Sequence, residues 1–186
     1  MPVSAQSSAK SAVERYAFDI EGAHAFVQFR IKHLGYSWLY GRFNEFDGEF
    51  TFNPADKSIV ALTSTIAMPS IDSNHVKRDK HLRSKDFLDV EKHPEAKFVS
   101  DSYRSTGKHT GELAGKLTLF GVTKPVVINT EYIGGGKDPW GGHRQGFEGR
   151  LTLKPADFGK NFVPRLGQSS EEVELMLTVE GIRQSK

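Results

Sequence analysis

The sequence predicts an all-β fold, an antiparallel barrel of eight strands with one helical insertion over about residues 74–90. Three observations predict it. About eight segments alternate apolar and polar residues with the period of two that a sheet with one buried face requires. The connections are mostly short and contain glycine or proline, so strands adjacent in sequence are expected to pair antiparallel in an up-and-down barrel whose closure removes both sheet edges. Only after Pro69 does the period change.

The first strands span Tyr16–Glu21 and His24–Lys32, joined at Glu21-Gly22. In the second, Ala25, Val27, Phe29 and Ile31 share one face while Gln28, Arg30 and Lys32 take the other. The next pair spans Trp38–Asn53, with Phe46, Phe50 and Phe52 opposite Asp47, Glu49 and Thr51, and Gly48 permitting a bend near the join. Over Ser58–Met68, Val60, Leu62, Ile66 and Met68 alternate with Thr63 and Thr65. Asp72 or Ser73 can cap a helix over His75–Arg83, Ser84 can cap a short turn over Asp86–Val90, and Pro94 prevents continuation. This is the only helical insertion expected. Strands resume at Ala96–Tyr103, Leu113–Phe120 and Thr123–Ile133, the last two forming a hairpin about Phe120-Gly121. A glycine-rich loop follows at Gly134–Gly142. Phe147, Gly149, Leu151 and Leu153 then oppose Glu148, Arg150 and Lys154, and in the last strand Val173, Leu175, Leu177 and Val179 alternate with Glu172, Glu174, Thr178 and Glu180.

A length of 186 residues suits one domain. Residues 1–15, beginning MPVSAQSSAKSA, read as a flexible leader or linker, and 16–184 as the barrel. The 25 basic and 23 acidic residues are interspersed, which gives no reason to expect a nucleic-acid partner. The absence of cysteine excludes disulfides, thiolate metal sites and cysteine nucleophiles. No apolar run approaches the roughly 20 residues of a membrane-spanning helix. Phe26, Leu39 and Met176 fall on nominally polar faces and are where a homodimer contact would form.

Several inward positions are small, namely Ala25, Gly48, Gly115 and Gly149, which predicts residual space in the barrel. Strands of this length run about 30 Å, so the space would be a long slot suited to a polyprenyl or acyl chain held by burial of its methylenes. The alternative is a barrel whose inward side chains fill it completely.

The segment FRIKHLGYSWLYGRF (Phe29–Phe43) resembles the YceI-like family of polyisoprenoid-binding proteins. The resemblance recurs in order through DSNHVKRDKHLRSKDFLD (Asp72–Asp89), HPEAKF (His93–Phe98), LTLFGVTKPV (Leu117–Val126), DPWGGHRQGFE (Asp138–Glu148) and VELMLTVEG (Val173–Gly181). It implies a lipocalin-like barrel whose tunnel holds a long isoprenoid, such as the octaprenyl tail of ubiquinone or a polyprenyl phosphate, and an exported, periplasmic or secreted location. It implies a protein that binds the lipid as ligand; the expectation is a carrier rather than an enzyme, with no catalytic cofactor, and transient membrane contact is expected from the basic segment around Lys77–Lys85.

The candidate tail-lining residues are Val27, Phe29, Ile31, Phe46, Phe50, Leu62, Ile66, Leu117, Leu119, Phe147, Leu151, Leu175 and Leu177, each of which is otherwise plain core. Trp38 and Trp140 sit beside glycine-rich loops, where an aromatic lines a mouth or stacks on a quinone ring, or simply packs. Asp79, His81 and Arg83, within a basic run that includes Lys77, Arg78, Lys80 and Lys85, are candidates for a headgroup or an anionic membrane surface; the alternative is a solvated helix face. His75 and His81 are six residues apart and the other histidines are scattered, with no HExxH, so no metal site is expected. Gly167-Gln168-Ser169-Ser170 is not a nucleophile elbow. The reading is storage or transport of an isoprenoid lipid. The rivals are a redox participant using a bound quinone and an attachment module of a larger exported protein.

Overall fold

The computed structural model describes residues 13–185. Its strands are β1 (Glu14–Phe18), β2 (Ala25–His33), β3 (Ser37–Phe43), β4 (Phe46–Asn53), β5 (Ser58–Ala67), β6 (Ile71–Asp72), β7 (Glu95–Ser105), β8 (Thr110–Leu119), β9 (Val122–Lys137), β10 (His143–Leu153) and β11 (Val173–Arg183). Its helices are α1 (Val76–Arg83) and α2 (Val163–Leu166). Every pairing is antiparallel, and the sheet closes through β1 on β11.

The predicted eight-stranded closed barrel is present, but its first three staves are broken in two. β1 and β2 lie end to end on one edge of β11: β1 pairs with Gly181–Arg183 and β2 with Val173–Val179. They are therefore not a hairpin, as their adjacency suggested. β4 continues β3 in the same way, against β1 and β2, and β6 continues β5, against β3 and β4. Counting those three pairs as one stave each gives eight, in sequence order.

Asp19 makes the first break. Its carboxylate accepts from the Gly22 N–H at 2.9 Å, and the chain excursion closes where His24 N–H bonds the Asp19 carbonyl. The leader expected through residue 15 ends earlier in the fold, since Glu14 and Arg15 already pair with β4; positions 1–12 lie outside the described residues.

The glycines do not leave empty space. A methyl group at Gly48 would fall 2.5 Å from the Phe18 ring, and one at Gly115 would fall 2.6 Å from Phe98. Small residues on one stave admit large rings from the next, which is how close packing is reached in a narrow barrel. Gly48 thus seats a ring rather than a bend. Three bulges interrupt the ladders, and one of them changes the expectation for Val60. One between Thr51 and Phe52 buries Ile59 and turns Val60 outward; others interrupt β7 near Asp101 and β9 near Ile133. Gly134–Lys137, expected as loop, extend β9.

Two helical expectations are corrected. The cap of α1 is His75, whose Nδ1 accepts from the Arg78 N–H at 3.1 Å. Asp72 and Ser73 are engaged elsewhere. Between β10 and β11 a second helical arm, Pro155–Ser170, contains two short 3₁₀ turns and α2, so the insertion after Pro69 is not the only one. The arm consists of single turns punctuated by Pro155, Gly159, Pro164 and Gly167, too short to show a helical period.

Candidate functional site

The connections β2–β3, β6–β7, β8–β9 and β10–β11 all gather at one end of the barrel, and both helical arms are among them. Beneath them lies a cavity of about 710 Å³. Its depth is walled by Val27, Phe29, Ile66, Ala96, Leu117 and Leu175 from five staves. Its rim is made by His33, Leu34, His75, Lys77, Arg78, His81, Phe120, Phe162 and Arg165. Among the described residues the rim carries basic side chains and no carboxylate; the depth is apolar.

Two rim positions carry backbone strain. Leu34 and Phe120 adopt φ of 54° and 52°, each followed by a glycine that is also left-handed; Phe120-Gly121 is a tight two-residue hairpin loop, and Leu34-Gly35 opens the three-residue β2–β3 loop. A bulky residue in that region costs of order 1–3 kcal/mol. The strain persists where Phe120 is turned inward and buried at the cavity wall.

The other half of the barrel is sealed by rings. Tyr16 stacks on Phe50 at 5.2 Å, Phe147 meets Phe50 edge-on at 5.6 Å and Tyr132 at 5.3 Å, and Phe52 stacks on Tyr132 at 5.8 Å. The Tyr16 hydroxyl donates to Glu14 at 2.6 Å and lies 3.1 Å from His143 Nδ1. Burial, reinforced by that carboxylate, pushes its phenol up to about 12. The expected 30 Å slot is therefore a chamber occupying the mouth half only.

This division sorts the sequence candidates. Val27, Phe29, Ile31, Ile66, Leu117, Leu119 and Leu175 line the chamber. Phe50 and Phe147 belong to the ring seal, while Leu62, Leu151 and Leu177 pack against the core without facing the space. Phe46 lines a separate shallow depression with Phe18 and Asp47. Of the headgroup candidates only His81 reaches the rim, edge-on to Phe87 at 4.8 Å. Asp79 is buried, accepting from the Ser73 N–H at 2.9 Å and from the Ser73 hydroxyl, and so fixes the entry to α1. Arg83 donates to the carbonyls of Pro69 and Ile71, both at 2.6 Å, strapping α1 to the β5–β6 break. Trp38 lies on the outer face beneath the Arg30 guanidinium, 4.2 Å from its ring centre. Trp140 is in the β9–β10 turn at the sealed end, 77% exposed.

The sequence did not point to Met68, Phe87, Leu88, Leu153, Phe162 or Leu166 as lining. Phe162 and Leu166 have a four-residue spacing that would have signalled one apolar face, but a helix of four residues shows it only once. Leu39, expected on a polar face, lines the chamber.

One titratable cluster lies at the sealed end. Asp19, His24 and Glu180 bring ligand-type atoms within 4.8 Å of one another, although these residues look scattered in sequence. Arg144 from β10 holds both carboxylates at 2.5 Å and Asp138 at 2.9 Å, supplying the positive charge that the group requires. Burial raises the Asp19 carboxyl, but the bonds from His24, Arg144 and the Gly22 N–H overcome it and hold the group at about 2.

A closed antiparallel barrel with an apolar chamber, open at one end under two helical arms, defines a class of small barrels built around an internal space. Residues 18–181 match the YceI-like domain, and the chain belongs to that family. It is 56% identical over 169 residues to the UPF0312 protein of Ectopseudomonas mendocina (strain ymp), covering 91% of this chain and 87% of that one. It is 52% identical over 183 residues to the UPF0312 protein PC1_2518 of Pectobacterium carotovorum, covering 98% and 94%. Among solved structures, the YceI protein of Campylobacter jejuni superposes with a TM-score of 0.74 at 28% identity, over 83% of this chain and 91% of that one. A polyisoprenoid binding domain from Saccharophagus degradans shares the fold at a TM-score of 0.66 and 14% identity, over 91% and 98%.

Proposed function

We propose that the chain is a non-enzymatic carrier that holds the tail of an isoprenoid lipid, a ubiquinone or a polyprenyl phosphate, for storage or transfer between membranes in a periplasmic or secreted setting. The observation that carries this reading is the apolar chamber of about 710 Å³ with a basic rim. The fold shared with a polyisoprenoid binding domain supports it.

Capacity and energy both suit a tail. At about 30 Å³ per heavy atom, the volume per water in the liquid, the chamber seats roughly two dozen atoms, about five prenyl units. At about 0.8 kcal/mol per buried carbon that is roughly 20 kcal/mol of gross burial, against an association cost of about 4–15 kcal/mol. Binding therefore needs no dense set of polar contacts. An octaprenyl tail exceeds the chamber by about three units, which would remain at the mouth unless the ring seal opens.

The test is organic extraction and mass spectrometry of protein purified from quinone-making cells. A prenyl lipid in near-equimolar yield is the expected result. Repeated recovery of no prenyl lipid would overturn the proposal. Ala96→Phe, which fills the chamber from its buried wall, is expected to lower the recovered lipid by tenfold or more.

A further inference from the structure

The rim has a second chemistry that tail burial does not use. Around the opening, three apolar side chains point away from the core: Tyr36 is 86% exposed, Val76 85% and Leu34 57%. Leu34 and Tyr36 form the β2–β3 tip, and Val76 opens α1. Singly exposed apolar residues mean little. These three surround one mouth, with the basic residues of the same rim interleaved.

The charge there is one-sided. Lys32, Lys77, Arg78 and Arg165 border the cavity with His33, His75 and His81. Lys80 and Lys85 are exposed just beyond. The one carboxylate within α1, Asp79, is buried against Ser73. Asp86 lies 3.1 Å from Arg165 and 3.7 Å from His81. Among the described residues no carboxylate stands within 4.0 Å of Lys77, Lys80 or Lys85. Away from the opening the signs mix, on the arms where Asp89 meets Lys160 and Glu171 meets Lys154, and at the sealed end where Arg144 lies among Asp19, Asp138 and Glu180.

We infer that the mouth end is a docking face for an anionic phospholipid surface, with Leu34, Tyr36 and Val76 entering the headgroup boundary and the surrounding lysines resting on lipid phosphates. Docked this way, the chamber opens toward the acyl phase, and a tail enters without crossing water. The direction of tail movement rests on the carrier reading; the docking itself does not.

The test uses the full chain and vesicles that contain no prenyl lipid, either phosphatidylcholine alone or with about a third phosphatidylglycerol, read by co-sedimentation. Binding is expected to the anionic vesicles only, and to fall as salt rises. Lys80→Glu with Lys85→Glu is expected to weaken binding by about tenfold or more, and Tyr36→Ser with Val76→Ser likewise. Lys108→Glu with Lys137→Glu, at the sealed end, is expected to leave it unchanged. Equal binding to neutral vesicles, no binding to anionic ones, or the same loss from the sealed-end pair would overturn the inference. Binding of an added protein with none to vesicles would do so too. None of these substituted positions lines the chamber, so lipid extracted from the same variants reports on the carrier reading separately.

Discussion

At Asp19 a single carboxylate joins the β1–β2 connection to β10 by accepting from Gly22, His24 and Arg144. Because its folded value lies at about 2 against an ordinary 3.8, its ionised form is favoured by folding. The stabilisation is present in full above the unfolded value, about 3.8, and is lost as pH falls through 2. A shift of this size corresponds to about 2 kcal/mol. Asp19→Asn is expected to lower the melting temperature at pH 7 by about 4–8 °C, and to narrow the gap to the native chain as pH drops from 4 to 2. Thermal melts across that range check it; an undiminished gap at pH 2 would show that the carboxylate's charge is not what stabilises the joint.

At the scale of elements, α1 walls the mouth yet buries little of itself: Leu82 packs on the core, the Asp79–Ser73 and Arg78–Ser73 bonds tie its start, and the Arg83 strap ties its end. Each charged hydrogen bond contributes about 1.5–3 kcal/mol where it is shielded, and less where Arg83 meets solvent. Arg83→Ala is expected to raise amide exchange over residues 76–83 by tenfold or more, leaving β8 to β11 protected, and to speed loss of a bound tail. Exchange measured by mass spectrometry decides it, since uniform loss of protection would mean that the strap stabilises the whole barrel. This layer of the structure was the least legible in sequence. The strands were readable because burying one face of a sheet enforces alternation over eight or more residues, as in β11. The Pro155–Ser170 arm was not, because its segments of three and four residues are set by proline and glycine geometry and by tertiary packing of Phe158 and Phe162. Arg83 and Asp79 were legible as charges but not as ties, since their partners are backbone groups and a serine brought near by the fold.

For the whole molecule, what alternation left undetermined was depth. A strict period of two puts Phe29, Phe50 and Phe147 equally inside, and only the assembled register shows that Phe29 faces the chamber while Phe50 and Phe147 join the ring seal. The placement of the seal makes the barrel a length ruler. Affinity for a series of prenyl quinones differing only in tail length should rise with each unit up to about five, as methylenes enter the chamber, and then level because further units find no apolar space. Phe147→Ala removes a ring from the seal at a cost of about 3–5 kcal/mol in stability. If the barrel stays folded by circular dichroism, the plateau should move outward by about one unit. Competition binding read by mass spectrometry separates the cases. Affinity that climbs without a break past eight units in the native chain would mean that the rings part to admit the tail, and the chamber would then be the resting form of a longer tunnel.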